Sequence, residues 1–227
     1  MKFIIIGLGY FGAKLASLLT SQGHEVIGID NCPERVDALK DQVSIVLEMN
    51  TTTEAAVRSL PLDDVDAVVV AIGEDVASSI LTLAILNNLH VPRIIGRAIS
   101  PIHQDILVQM GVKEIVHPEE ETASSVCSIL QLNNAVKVTE IDREHLVAEL
   151  LIPEKYIGHN LDSIGVEERF GLKLIGVRVV SKSDNQKFTR NRDSLVDFNF
   201  NPELPLTEGD SLLVAGKLKR IKEFLGD

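Results

Sequence analysis

Three glycines at fixed spacing and a later aspartate are the residues of this chain best suited to binding a ligand. Gly7, Gly9 and Gly12 follow a short apolar run, and Asp30 ends a second apolar run 23 positions after Gly7. The first glycine suits a tight turn, the second lets a pyrophosphate approach the backbone, and the third allows close helix–strand packing. A helix that begins here offers free amides and its positive dipole end to phosphate. The pattern therefore predicts a bound nucleotide, with Asp30 accepting hydrogen bonds from the ribose hydroxyls.

The charge of Asp30 also bears on which nucleotide binds. A carboxylate at the ribose repels a 2′-phosphate, so NADP is disfavoured against NAD, ATP or ADP. The alternative is that the glycines serve only packing and that Asp30 caps a helix beginning near Pro33. We favour the ligand because strand, glycines, helix, second strand and acid occur in this order at the expected distances.

The elements that must position these residues alternate between strands and helices. Nearly continuous apolar strands that are separated by helical segments indicate a parallel sheet covered on both faces. The fold class is therefore α/β, with a Rossmann-like domain over residues 1–118 that contains a six-stranded parallel sheet. The predicted strands are 2–6, 25–29, 44–47, 67–71, 93–95 and 114–116, and the predicted helices are 11–21, 34–40, 54–59, 76–87 and 101–110.

The pattern changes after residue 118. A linker over residues 119–135 contains an acidic start and then a predicted crossover helix over 122–132. A small α+β domain over 136–227 follows, and it reads mainly as strands and turns. Its predicted strands are 136–141, 146–152, 172–180 and 211–214, with a hairpin and long loop over 181–201 and a closing helix over 219–225.

Further candidate residues come directly after the other strands of the first domain. The carboxyl ends of parallel strands line one crevice, so these loops should meet the same ligand. Asn50 could bond the adenine edge or merely cap the next helix, and Arg97 could meet phosphate or be a solvated surface cation. The predicted ligand contacts are Gly7, Gly9, Tyr10, Phe11, Gly12, Asp30, Asn31, Asn50, Ala71, Ile72, Gly73 and Arg97.

Composition excludes several classes of function. The net charge is −11, and residues 1–140 carry 9 Lys and Arg against 18 Asp and Glu, so no basic face for nucleic acid is expected. The longest apolar stretch, at 80–86, is far shorter than the roughly 20 residues of a membrane-spanning helix. We interpret the first residues as a strand, not a signal peptide. Cys32 and Cys127 form no disulfide or zinc pattern, which fits a reducing cytosol.

Motifs along nearly the whole chain resemble one known family. The first part matches through the glycine turn, Asp30, the AIGE run at 71–74 and the GVKEIVHPE run at 111–119. The second part matches through GHNL at 158–161, RFG at 169–171 and LTEGDSLLVAG at 206–216. These features resemble the cytosolic gating subunits of bacterial potassium uptake systems. These are the Trk/Ktr regulators, which are built from domains that regulate K⁺ conductance (RCK domains).

The resemblance implies a regulatory assembly. Homodimers, in which the crossover helix links the lobes, would assemble into a ring, an octamer, at the cytoplasmic face of a membrane potassium transporter or channel subunit. ATP, ADP or NAD(H) would bind at the glycine turn and bias the shape of the ring. Glu119 matches a family position that could hold a divalent cation between subunits, or it is one solvated acid in a run. Many members have Arg where this chain has Tyr10. This difference leaves NAD(H) more open as the bound nucleotide.

Three functional hypotheses follow, of which a ligand-sensing regulatory subunit without catalytic chemistry leads. The second is an NAD-dependent oxidoreductase, which needs a proton donor or acceptor near the nicotinamide. Among the six histidines, His117 at the end of the sixth strand is the one expected near the cleft, and we favour a structural role for it. The third is a nucleotide-binding module that only scaffolds partners.

Overall fold

A computed structural model describes residues 1–179 and 195–226 of the chain. The chain forms two compact units, Met1–Glu120 and Glu121–Asp227. Most of the hairpin and loop predicted over 181–201, and the last residue of the strand predicted over 172–180, lie outside the described residues.

The first unit is built on a parallel sheet of six strands, as the sequence predicted. The strands are β1 (Lys2–Ile6), β2 (Glu25–Asp30), β3 (Ile45–Glu48), β4 (Ala67–Val70), β5 (Ile94–Arg97) and β6 (Glu114–Val116). The helices between them are α1 (Tyr10–Ser21), α2 (Pro33–Asp37), α3 (Glu54–Arg58), α4 (Val76–Asn88) and α5 (Pro101–Gln109). Spatially, the strand order is β3-β2-β1-β4-β5-β6, which is the Rossmann-like arrangement.

This strand order places a crevice beside β1. Successive connections run outward from β1 in one direction to β3, and then return to β4 on its other side. The loops after β1 and β4 therefore separate at the carboxyl ends of the strands, which is where ligands bind in open α/β sheets. Backbone bonds hold the loops at this edge, from Gly7 N to Ile29 O at 2.8 Å and from Ala71 N to Ile6 O at 2.7 Å.

Both faces of β1 are buried, which explains its unbroken apolar sequence. Ile4 and Ile6 pack in a cluster with Leu83 and Leu107, while Ile5 packs in a separate cluster with Ala16. A strand of an antiparallel sheet with one wet face would alternate apolar and polar residues instead. The sheet is therefore a rigid base from which the loops at its carboxyl end project.

His103 is a buried polar residue on α5. Its exposed fraction is 2%, and neither ring nitrogen has a hydrogen-bond partner among the described residues. Burial lowers the pKa of His103 below its ordinary value, because the charged imidazolium would lose its hydration.

We expect this histidine to make the stability of the first unit depend on pH. The unfolded chain binds a proton at about pH 6.5, whereas the folded chain resists it, so the free energy of unfolding falls as pH drops below that value. The free energy of unfolding in urea, measured for wild type and His103→Leu at pH 7.5 and 5.5, tests this expectation. The variant should lose less stability than wild type between the two pH values. The exposed His159→Leu variant is the control, and it should behave as wild type. An identical pH response of His103→Leu and wild type would contradict the prediction.

The crossover helix α6 (Pro118–Leu130) differs from the predicted range of 122–132. It begins four residues earlier because Pro118 has no amide to leave unpaired in the first turn, where proline is favoured. The following acidic residues suit the positive end of a helix. The acidic run is therefore the first turn of the helix, and it is not a separate segment before it.

The second unit contains an antiparallel sheet, and its described part after α6 also includes three α-helices. Its strands are β7 (Ala135–Glu140), β8 (His145–Leu151), β9 (Lys173–Arg178) and β10 (Ser211–Lys217), in the order β7-β8-β10-β9. Two short helices, α7 (Leu161–Ile164) and α8 (Val166–Phe170), were not predicted, because five residues or fewer show no helical periodicity. Gly165 and Gly171 end them with positive φ angles of 65° and 63°. The last helix is α9 (Leu218–Leu225), close to its predicted range.

Candidate functional site

Two glycines of the turn after β1 are required by the fold itself. Gly7 has a φ angle of +94°, and a Cβ atom there would lie 2.9 Å from the backbone nitrogen of Ile72. A Cβ atom on Gly12 would overlap the carbonyl oxygen of Gly7. Helix α1 therefore lies directly against the turn, and any side chain at these two positions would separate them.

Gly9 is different, because no described part of the chain occupies the place of a side chain there. Its φ angle is −62°, which any residue can adopt, and among the described residues the nearest atom to a Cβ placed there is Arg35 Nη1, at 4.0 Å. The space above Gly9 is open. This open space, called the cradle below, fits a pyrophosphate that approaches the backbone.

The N-terminus of α1 points donors at this open space. The first backbone bond of the helix runs from Ala13 N to Gly9 O, at 2.9 Å. The amides before Ala13 have no partner within the helix. Gly9 supplies no side-chain cap, and the first turn contains no acidic residue to offset the positive dipole end. The start of α1 therefore combines donors that have no partner within the helix, positive potential and room for an anion.

Asp30 braces the glycine turn from the end of β2. Its side chain is almost fully buried, and one carboxylate oxygen accepts a hydrogen bond from Leu8 N at 2.6 Å. The other oxygen accepts from Cys32 N at 2.9 Å. Each carboxylate oxygen can accept more than one bond, so these contacts leave acceptor capacity for a ribose. The ribose role of Asp30 stays a prediction, as does the ligand contact predicted for the exposed Asn31 beside it.

Arg35 on α2 is a site residue that the sequence reasoning missed. Its Nη2 atom lies 2.7 Å from Oε2 of Glu74 in the loop after β4, and its Nη1 atom lies 3.7 Å from Oδ2 of Asp30. The hydrogen bond to Glu74 raises the pKa of Arg35 above its ordinary value. Its place five residues after Asp30 was a usable signal, because an arginine near this position accommodates the 2′-phosphate of NADP in some Rossmann folds and so can lie beside the nucleotide.

Arg97, at the end of β5, is packed into the protein. Its guanidinium donates a hydrogen bond to Ala71 O at 3.2 Å and lies 5.6 Å from the ring centre of Phe11. A Cβ atom on Gly73 would be 2.6 Å from Arg97 Nη1, so this glycine makes room for the arginine. The side chain is only 15% exposed, which does not fit a solvated surface cation. A phosphate contact from Arg97 stays a prediction.

Glu119 in the first turn of α6 pairs with Arg97. Desolvation is the largest single influence and acts to raise the pKa of Glu119, but the hydrogen bond from Arg97, a backbone hydrogen bond and the charge of Arg97 together outweigh it, so the pKa is lowered. Among residues 1–179 and 195–226, no group of three or more His, Cys, Asp and Glu side chains could hold a metal ion. The role of Glu119 in holding a divalent cation between subunits stays a prediction.

The structure also describes three other residues that the sequence analysis singled out, Asn50, Tyr10 and His117. Asn50 accepts bonds from the Thr52 amide and hydroxyl at 3.0 and 2.8 Å, so it stabilises the turn before α3, whose N-cap is Thr53. Tyr10 is 94% exposed at the start of α1. His117 is hydrogen-bonded to Gln104 at 3.1 Å.

Asp75 caps the helix on the other side of the crevice. Its carboxylate accepts bonds from the Ser78 amide at 3.1 Å and the Ser78 hydroxyl at 2.6 Å. These bonds lower the pKa of Asp75 below its ordinary value. The N-terminus of α4 is thus already matched with a negative charge, unlike that of α1.

Comparison with known proteins gives the family. The model of the TrkA-N domain matches residues 3–118, which contain the glycine turn, Asp30 and Arg97. The chain belongs to the TrkA-N domain family. This result confirms the resemblance drawn from the sequence motifs.

Curated relatives extend the similarity beyond the TrkA-N domain. The chain is 30% identical to the Ktr system potassium uptake protein C of Bacillus subtilis, over 78% of this chain and 80% of that protein. It is 27% identical to the Ktr system potassium uptake protein A of the same organism, over 98% of this chain and 95% of that protein. Both units therefore have counterparts in a potassium uptake protein.

Solved structures agree on the fold of this TrkA-N family member. The GsuK RCK domain superposes with a TM-score of 0.67 and 18% identity, covering all of this chain and 48% of that chain. The GsuK channel bound to NAD gives a TM-score of 0.65 at 18% identity and covers 39% of that chain. The chain thus spans less than half of these channel proteins. In its described part, no helix combines the length and apolar character needed to cross a membrane.

Proposed function

We propose that this chain is the nucleotide-binding regulatory subunit of a bacterial potassium uptake system and has no catalytic chemistry of its own. The observation that carries the proposal is the open cradle over Gly9, which faces the uncapped N-terminus of α1 and is braced by Asp30. The similarity to potassium uptake proteins and to the GsuK channel bound to NAD supports it.

The ligand is an adenine nucleotide, ATP, ADP or NAD(H), held by residues of this chain. The amides of the glycine turn and the start of α1 bind the phosphates, and Asp30 accepts the ribose hydroxyls. Ala71, Ile72 and Gly73 border the same crevice from β4. The nucleotide regulates only if it binds two conformations of the assembly with unequal affinity.

The partner in this proposal is a membrane potassium transporter or channel subunit. Homodimers form a ring, an octamer, at the cytoplasmic face of the membrane, as in the family that the motifs resemble. The chain then acts on ion flow through its partner and does not enter the bilayer. An oxidoreductase is disfavoured because His117, the histidine expected nearest the cleft, is hydrogen-bonded to the Gln104 side chain, which fits the structural role favoured for it.

Nucleotide addition is expected to raise the melting temperature of the purified protein. A ligand at about 100 times its dissociation constant stabilises the folded state by about 2.7 kcal/mol, which corresponds to about 5 to 10 °C for a chain of this size. Thermal unfolding with ATP, ADP, AMP, NADH and no ligand measures the shift. Potassium flux through the co-expressed membrane partner, with and without the best ligand, then tests regulation. An unchanged melting temperature with every nucleotide would contradict the proposed function, and steady NADH turnover would support the oxidoreductase.

A further inference from the structure

One cation borders the open space over Gly9, and its charge is already partly neutralised. The Nη1 atom of Arg35 is 4.0 Å from the position that a Cβ on Gly9 would take. The Nη2 atom of the same guanidinium lies 2.7 Å from a carboxylate oxygen of Glu74. Arg35 therefore spans the crevice from α2 to the loop after β4.

The two carboxylates near Arg35 are held very differently. Asp30 is 4% exposed and fixed by bonds from two backbone amides, so it cannot turn away. Glu74 is 79% exposed, and its carboxylate is held by Arg35 in a loop that leads into α4. Exposed ion pairs of this kind contribute about 0.2 to 1 kcal/mol. The contact with Glu74 is therefore the one that an incoming anion can replace.

A phosphate is a stronger partner for Arg35 than Glu74 is. The planar guanidinium matches phosphate with two parallel hydrogen bonds, and a terminal phosphate carries more negative charge than one carboxylate. The free amides of α1 lie around the same space and favour an anion there. Phosphate binding at the turn therefore gains Arg35 as a donor once Glu74 has released it.

We propose that Arg35 is a phosphate-contacting specificity residue and that Glu74 is an internal competitor that phosphate must displace. This inference rests on the proposed nucleotide-binding function and deepens it. The competition makes affinity depend on the number of phosphate groups, because adenosine alone cannot displace Glu74. It also means that ligand binding breaks a contact between α2 and the loop before α4 that exists in the free protein.

Calorimetric titration of the purified protein with adenosine, AMP and ADP tests the proposed roles of Arg35 and Glu74. Arg35→Gln should weaken ADP binding by about tenfold, the loss expected for a hydrogen bond to a charged group, and leave adenosine binding unchanged. Glu74→Gln should strengthen ADP binding by about threefold, because Arg35 no longer has to leave an ion pair. In the double variant the gain from Glu74→Gln should vanish, since its effect acts through Arg35.

A matched control separates this effect from a general change of charge. Arg93 and Glu114 form an exposed pair at 2.8 Å at the amino ends of β5 and β6, opposite to the edge that carries the glycine turn. Glu114→Gln removes the same charge and should leave ADP affinity unchanged. Equal ADP affinity in wild type and Glu74→Gln, or a threefold gain that persists without Arg35, would overturn the inference. If wild type binds none of the nucleotides tested, the proposed function fails instead.

Discussion

Replacing Asp30 with alanine is expected to remove most of the rise in melting temperature that an adenine nucleotide gives to the wild-type protein. The variant loses the acceptor for the ribose hydroxyls, and it also loses the bonds from the amides of Leu8 and Cys32 that shape the turn. A buried amide left without a partner costs about 1 to 3 kcal/mol. The free variant should therefore also melt several degrees below wild type, by about 2 to 4 °C per kcal/mol.

Asp66→Ala is the control for the loss of a bracing carboxylate. Asp66 accepts a hydrogen bond from the Lys2 amide at 2.7 Å, at the end of the sheet opposite to the glycine turn. This variant can lose stability in the same way, but its nucleotide-induced shift should equal that of wild type. If Asp30→Ala is stabilised by nucleotide as much as wild type, the assigned site is wrong.

Gly12→Ala and Gly9→Ala are expected to separate the folding role of the turn from its binding role. The Cβ atom at position 12 would overlap the Gly7 carbonyl, so helix and turn must move apart. Overpacking of this kind costs about 3 kcal/mol, or about 6 to 12 °C in melting temperature. At position 9 the added methyl group meets open space, so stability should stay within about 0.5 kcal/mol of wild type.

Nucleotide binding, unlike stability, should be impaired in the Gly9→Ala variant. Its methyl group occupies the cradle where a pyrophosphate approaches the backbone, so nucleotide affinity should fall although the protein is fully folded. Thermal unfolding with and without ADP measures both effects in one experiment. Gly12→Ala melting at the wild-type temperature, or Gly9→Ala keeping full affinity, would each contradict the geometry described for the turn.

The sequence was informative where the signal is local along the chain. The bounds of β1 and β6 match the prediction, because each contains β-branched apolar residues and is followed within two positions by a glycine or a proline. The glycine turn and Asp30 were found because a single strand–turn–helix–strand unit contains all of them. The family follows from the same motifs, which the match to the TrkA-N domain confirms.

Contacts between distant residues could not be predicted in this way. Arg35 and Glu74 are 39 positions apart, and Arg97 and Glu119 are 22 apart, so each pair depends on how the sheet brings two loops together. Gly73 was predicted as a ligand contact, whereas the structure shows that it also makes room for the Arg97 guanidinium. Helices as short as α7 depend on a capping side chain, here Asn160, more than on periodicity.

The two helices that flank the crevice, α1 and α4, make its two sides electrostatically different. On the α1 side the first backbone donors have no partner within the helix and no side-chain cap, whereas on the α4 side Asp75 accepts a bond from the Ser78 amide and Glu74 adds a second negative charge. An elongated ligand with one anionic and one neutral end therefore has a single favourable orientation, with its anionic end toward α1. Because reversing the ligand would place its phosphates against two carboxylates, this asymmetry selects a binding pose before any base-specific contact is made.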